Sequence, residues 1–391
     1  MSESSMMKVA TGLAIGTEAD PNLAAQAVLQ AMQALDITIA SSVLLIITSE
    51  FASDPLPAIK AAAKAASCVQ VMGCSAPGIF TDQDWVLDAP AVAAMVFSGD
   101  ISLQAIANPL PDQLLLALTA PNAINTNWLS APGMRFGGVS GDALGQGPFS
   151  VWQNAKGTVT GQCEAAMTGV RGAVKATHGL RYLTEPQTVT QVDGHNLQSL
   201  AGKPALKSLV NVCMSHESLP VHLLMAVYAD SLEILEDGDY HLSTLLYGNE
   251  GEGSVTLSKR LQVGQHMRWA MRDVDAAQAD LKETAQQLSR QLQSIPDFGL
   301  LFSCMGRGPY FYGGVDRDLI LLKQQFPNMP LIGFYGNGEI APIHGVSELL
   351  QYSAVLALFA QDTELRLAQD EGAEFEEPEI EPQLKFSEAE Q

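Results

Sequence analysis

Basic residues are scarce in this chain: 21 Lys and Arg stand against 43 Asp and Glu among 391 residues, a formal net charge of −22. A phosphate-tracking groove draws its affinity from clustered Lys and Arg, so the composition argues against nucleic acid and against polybasic membrane binding. Cysteine is sparse too. Cys68, Cys74, Cys163, Cys213 and Cys304 are odd in number and show no short paired spacing, so neither a disulfide framework nor a CxxC zinc site is indicated and a reducing compartment is expected. No run of eighteen apolar residues occurs, so no membrane insertion is expected. Only Lys8 is basic among the first twenty residues, and the apolar stretch after it is broken by Gly12 and Gly16, unlike a secretory signal. The cytoplasm is the expected location.

The length predicts about two or three domains, each able to bury its own core. Much of the negative charge lies at the C-terminal end. Residues 362–391 hold eleven acids against Arg366 and Lys385, so the tail carries −9 and the rest of the chain −13. Low in aromatics and rich in like charge, this tail is expected to be disordered.

Upstream, short β-branched runs alternate with helical stretches. Val9 to Ile15, Val43 to Thr48, Cys68 to Met72 and Ala91 to Phe97 read as strands, with helices over Pro21 to Leu35 and Ala58 to Ala66. Asp20 is placed to cap the first helix. The order recurs near the other end: Phe298 to Cys304 strand, Arg317 to Gln325 helix, Pro330 to Gly336 strand, Ser353 to Phe359 strand. Gly73 to Phe97 matches Gly336 to Phe359 in spacing, which suggests duplication. Met134 to Ser140 and Glu164 to Val170 read as strands completing the first sheet. Thr188 to Val192 gives a strand and turn, Lys203 to Val212 a helix after Pro204, and His222 to Tyr228 a buried strand. Asp275 to Leu292 is an amphipathic helix with Ala277, Leu281, Ala285, Leu288 and Leu292 on one face. The expectation is two related α/β lobes with mixed sheets flanked by helices, over residues 1–190 and 191–361, followed by the disordered acidic tail 362–391.

Glycine turns end the apolar strands: GCSAPG from Gly73, GGVSGD from Gly137, GNGE from Gly336, and CMGRG from Cys304. Glycine lets backbone amides approach a ligand closely, and ligands of open α/β sheets bind beyond strand ends, so a small-molecule cleft is expected there; plain turn chemistry is the alternative. None of the turns is a phosphate loop. Arg307, glycine-flanked in a chain poor in cations, either grips a ligand carboxylate or forms an internal salt bridge, with Glu339 as its partner. Cys304, close to that cation, is a candidate reactive thiol, or else a small buried hydrophobe.

Seven histidines, at 178, 195, 216, 222, 241, 266 and 344, give no metal pattern beyond the weak string Cys213, His216, His222. Haem needs one axial ligand and an apolar pocket, and His344 beside GNGE is the candidate ligand. No reaction class is supported, and a binding role is expected over a catalytic one.

The stretch LLFSCMGRG, a helix, then PLIGFYGNGEIAPI resembles the C-terminal module of the FIST family, named for F-box and intracellular signal transduction proteins. GCSAPG and GGVSGD are similar to its N-terminal module, VTQVDGHNLQSLAGKPAL looks like the joining segment, and RWAMRDVDAAQADL fits the approach to the long helix. The resemblance covers roughly residues 30–360. It implies a sensory domain for small ligands, with amino acids proposed, and in some members a haem that responds to nitric oxide. The residues matching the family motifs, and so the implied ligand-binding positions, are Gly73, Cys74, Ser75, Gly137, Gly138, Gly141, Cys304, Gly306, Arg307, Gly308, Gly336, Asn337, Gly338 and Glu339. No kinase, methyl-accepting, cyclase or F-box segment accompanies the modules, so signalling is expected to pass through a separate protein partner; a ligand-free interaction scaffold is the alternative. The oligomeric state is left open.

Overall fold

A computed structural model describes residues 7–362, apart from 143, 159, 216–218, 237 and 239. The acidic tail beyond Asp362 and the ligand candidate His216 therefore lie outside the described residues.

The chain builds one α/β unit three times. The first repeat contains β1 (Val9–Ile15), α1 (Asn22–Leu35), β2 (Ser42–Thr48), α2 (Leu56–Ala66), β3 (Val71–Ala76), the short strands β4 (Gly78–Thr81) and β5 (Trp85–Leu87), and β6 (Ala91–Phe97). The second contains β7 (Ser102–Gln104), β8 (Leu114–Thr119), α3 (Thr126–Leu129), β9 (Met134–Val139), β10 (Val151–Gln153), β11 (Lys156–Gly157) and β12 (Gln162–Thr168). The third opens with β13 (Val170–Thr177) and is then interrupted by an insertion. That insertion comprises β14 (Leu180–Tyr182), β15 (Gln187–Asp193), β16 (Asn196–Leu200), β17 (Lys203–Pro204), α4 (Ala205–Ser215), β18 (Leu224–Ala229), α5 (Leu232–Glu236), β19 (His241–Asn249), β20 (Ser254–Leu257) and β21 (His266–Arg272). The repeat resumes with α6 (Val274–Leu292), β22 (Phe298–Cys304), α7 (Arg317–Gln325), β23 (Leu331–Gly336), β24 (Glu339–Ile343), β25 (Val346–Leu350) and β26 (Ala354–Gln361).

Three six-stranded sheets result, ordered β1-β6-β2-β3-β10-β11, β7-β12-β8-β9-β24-β25 and β13-β26-β22-β23-β4-β5. In each, the pairings run antiparallel, antiparallel, parallel, antiparallel, antiparallel. The hairpin that completes each sheet comes from another repeat. β4–β5 completes the third sheet, β10–β11 the first and β24–β25 the second, a cyclic exchange. The two expected α/β units are present, and a third lies between them. β9 and β12, expected in the first sheet, belong to the second. Strands from both sides of residue 190 share two of the sheets.

One glycine per repeat marks the equivalence. A Cβ on Gly73, Gly137 or Gly333 would sit 1.7, 1.9 or 1.8 Å from the carbonyl oxygen of Leu45, Ala117 or Leu301, its neighbour on the parallel strand. Opposite each, the exchanged hairpin places a bulky apolar residue: Trp152, Ile340 and Phe80. Trp152 and Phe80 lie over the bare backbone of Gly73 and Gly333, as aromatic residues do over sheet glycines. The equivalent of Gly73 is thus Gly333, three residues before the Gly336 that sequence spacing suggested.

The three sheets turn their inner faces to one core, which includes Leu44, Ile46 and Met72 of the first, Leu116, Leu118 and Phe136 of the second, and Leu300, Phe302 and Phe334 of the third. Phe298 stacks on Phe359 at 4.9 Å and meets Phe97 edge-on. Outside, α1 and α2 cover the first sheet, while α6 and α7 cover the third. α6 buries the expected stripe from Ala277 to Leu292 and is capped by the Asp273 carboxylate. The second sheet has only α3 there among the described residues, with Trp128 and an ion pair at 2.8 Å between buried Arg135 and half-buried Glu164.

The insertion is a closed antiparallel barrel, β21-β15-β16-β20-β19-β18, shut by pairing of β18 with β21. Apolar side chains fill its lumen around fully buried Trp269, whose indole N–H donates to Ser208 of the α4 cap. Among the described residues no helix is long and apolar enough to cross a membrane.

Candidate functional site

The glycine turns do converge. Where β3 and β9 end, Ser140 Oγ donates to the Ser75 carbonyl at 2.6 Å, and the two hydroxyls are 3.2 Å apart. The turn after β23 joins them: Val139 N–H donates to Gly338 O at 2.9 Å and Asn337 N–H to Val139 O at 3.1 Å. A Cβ on Gly141 would lie 2.7 Å from the Asn337 side chain, and one on Gly336 2.5 Å from Val139 O. The glycines here allow three backbones to pack against one another. Cys74 is fully buried beside them, and burial pushes its thiol well above the usual range.

Arg307 turns inward. It is only 2% exposed. Its Nε donates to Asp318 Oδ2 at 2.8 Å, Nη1 to the Thr177 carbonyl at 2.9 Å, and Nη2 to the Ala277 carbonyl at 3.2 Å and Asp318 Oδ1 at 3.4 Å. Burial alone would favour the neutral form, but Asp318 outweighs it and holds the guanidinium charged. An internal salt bridge was one of the two expectations; its partner is Asp318, where Glu339 had been expected. Gly306 and Gly308 shape the turn that brings Arg307 there, and a Cβ on Gly308 would press on Tyr335 at 2.9 Å.

Glu339, fully buried at the start of β24, accepts from Ser353 Oγ at 2.6 Å through Oε2, whereas Oε1 has no partner among the described residues. Burial, only partly opposed by Ser353, drives its carboxyl well above the usual range. Cys304 is raised to about 12, first by burial and then by the Glu339 charge, and is therefore a thiol and no activated nucleophile. On the barrel side, Arg272 at the end of β21 donates to Gly306 O at 2.9 Å and stacks over Tyr352 at 4.1 Å.

A cavity of about 270 Å³ opens between this hairpin and the barrel wall. Leu350, the cross-strand partner of Glu339, lines it with Leu349, Met225 and Leu242, and Lys259, His241 and Glu348 supply charge. Thr244 and Ser258 add hydroxyls. His241 Nδ1 donates to Glu348 Oε2 at 3.1 Å, tying β19 of the barrel to β25. Of these lining residues only His241 was named from the sequence, as one of seven histidines, because they come from two stretches whose nearest members, Lys259 and Glu348, are 89 residues apart.

His344 occupies the exposed turn between β24 and β25, with φ 49°. A larger cavity, about 680 Å³, has neither His nor Cys in its lining. The residues present do not form a haem pocket around the candidate ligand. Among the described residues no three His, Cys, Asp or Glu side chains come together to hold a metal.

Fold and site together define a pseudo-threefold α/β protein with an inserted barrel and a cavity of mixed polar and apolar lining at the joint between the two. Residues 42–203 match the FIST N domain and residues 205–342 the FIST C domain, and the chain belongs to the FIST family. The junction of the two matches falls inside the insertion, immediately before α4. The uncharacterized protein Mb0898c of Mycobacterium bovis is 30% identical over 234 residues, 58% of this chain and 61% of its own length, so the match spans about three fifths of that relative. Rv0628c of Mycobacterium tuberculosis, also uncharacterized, is 27% identical over 337 residues, 79% of this chain and 87% of its own length. F-box only protein 22 of Pongo abelii is 28% identical over 180 residues, 41% of this chain and 43% of its own length.

Proposed function

We propose that this chain is a cytoplasmic FIST-type sensory protein that binds one small ligand, an amino acid or other small carboxylate, and passes its state to a separate protein partner. The observation that carries the reading is the 270 Å³ cavity at the barrel joint, where Lys259 offers positive charge above an apolar floor, beside the His241–Glu348 pair. Its size is just under the range of about 300–1,000 Å³ usual for small-molecule sites, which suits a ligand of amino-acid size. Because its walls belong to the barrel on one side and to the three-repeat body on the other, occupancy favours one relative placement of the two, and a partner that reads this joint distinguishes the states.

A thermal-shift screen of amino acids and organic acids tests the proposal. A ligand at 100 times its Kd adds about 2.7 kcal/mol. The shift should shrink in Lys259→Ala, at an exposed position where folding is not at stake. Absence of any shift, or one indifferent to Lys259→Ala, overturns the reading.

A further inference from the structure

A second cavity, about 210 Å³, lies between α6, β14 and the segment at Tyr240, and His178 borders both it and the first. Three aromatic rings wall it. Tyr182 meets Tyr240 nearly edge-on with centroids 6.4 Å apart, and His178 lies 5.6 Å from Tyr240. From α6 come the carboxylates of Asp280 and Glu283. Lys175 also borders the space, its ammonium donating to Gln287 Oε1 at 2.8 Å.

Two features point to a ligand. His178 is 8% exposed, and its Nδ1 has no partner among the described residues. Burial, opposed by Asp280 and reinforced by Arg307, lowers it to about 4, so the ring is neutral and Nδ1 can accept a hydrogen bond. Asp280 Oδ2 accepts the backbone N–H groups of His178 and Gly179 at 2.9 and 3.0 Å, which fixes that carboxylate beside the rings. Two carboxylates against one ammonium leave the lining net negative. A cation already lies over one tyrosine of the group, Arg268 at 4.1 Å from the Tyr182 centroid. Aromatic faces with carboxylates attract organic cations, and an unsatisfied buried acceptor asks for an N–H donor.

We propose that this cavity is a second binding site, specific for a small alkylammonium ion, whose N–H groups bond Asp280 and His178 Nδ1 while its carbon chain lies against Tyr182 and Tyr240. An anion meets the wrong field here. A neutral alcohol of the same length forgoes both the charge and the cation–π attraction.

Calorimetric titration of the full chain with n-butylammonium chloride tests the site, with 1-butanol and equimolar sodium chloride as controls. Saturable binding of the amine is expected, weakened at least about tenfold by Asp280→Asn, which keeps an acceptor for the two backbone N–H groups, and by Tyr182→Leu at a more exposed position. Circular dichroism checks the fold of each, and Tyr182→Leu decides if Asp280→Asn does not fold. No saturable heat up to about 10 mM, equal affinity for 1-butanol, or indifference to the substitutions overturns the proposal. The carboxylate cavity stands or falls separately, because its screen uses Lys259 and a different class of ligand.

Discussion

The Arg307 guanidinium and the Asp318 carboxylate meet at 2.8 Å with side chains only 2% and 3% exposed. Tyr312 also donates its hydroxyl to Asp318, at 2.6 Å, so the pair is enclosed in a satisfied polar network under α7. The cation that looked most available in the sequence is therefore a structural one.

Removing one partner of a buried pair strands the other. Asp318→Asn and Arg307→Ala should each lower stability by about 3–5 kcal/mol. Urea unfolding will show this as a reduced midpoint at unchanged slope. A ligand-induced thermal shift, by contrast, should survive in any Arg307 variant that still folds. Loss of that shift in a well-folded variant would return Arg307 to the binding site.

The three repeat-marking glycines give a second expectation. Gly73→Ala, Gly137→Ala and Gly333→Ala each drive a methyl into a carbonyl oxygen under 2 Å away. Each should destabilise by about 3 kcal/mol or more, the upper end of the overpacking range. Gly157→Ala is the control, because nothing lies within 4 Å of its Cβ position, and it should change the unfolding midpoint little.

Stability should depend on pH through His241 and Glu348. The hydrogen bond to Glu348 raises His241 above its ordinary 6.5 against the opposing effect of burial, so its contribution is full below 6.5 and fades as pH climbs through the folded value. For Glu348, burial alone would raise the carboxyl, but His241 outweighs it and holds it below 4.5. That contribution is full above 4.5 and fades as pH falls through the folded value. The window in which both are present runs from about 4.5 to 6.5. Glu348→Gln should therefore lose more stability at pH 5.5 than at pH 8.5, measured by chemical unfolding. Equal losses at both would show that the pair does not hold the barrel to β25.

The apolar strands were legible because each is a short run buried on both faces: Val9–Ile15 at the edge of the first sheet and Phe298–Cys304 inside the third run as expected from sequence. Two units were legible because both keep their helices. The middle repeat escaped notice because β7 has three residues and its helical cover is reduced to α3, leaving no periodic signal. The hairpin exchange joins strands such as β4 and β23 that lie some 250 residues apart, and no local pattern encodes that pairing. The barrel hid for another reason: β19 is mostly half-exposed, with a register shift between Leu245 and Tyr247, so its alternation is irregular. At the site, the glycines were found because their chemistry is local. The inward turn of Arg307 depends on Thr177, 130 residues upstream, and could not be.

The cyclic exchange of hairpins also sets a timetable for synthesis. The first sheet has all its strands once residue 157 has left the ribosome. β9 of the second sheet must wait for β24, about 200 residues later, and at roughly 5–20 residues per second that is on the order of 10–40 s. Throughout that interval an apolar strand edge is presented to the surrounding solution, where other nascent chains can pair with it. The last repeat thus acts as the closing stitch of the second sheet.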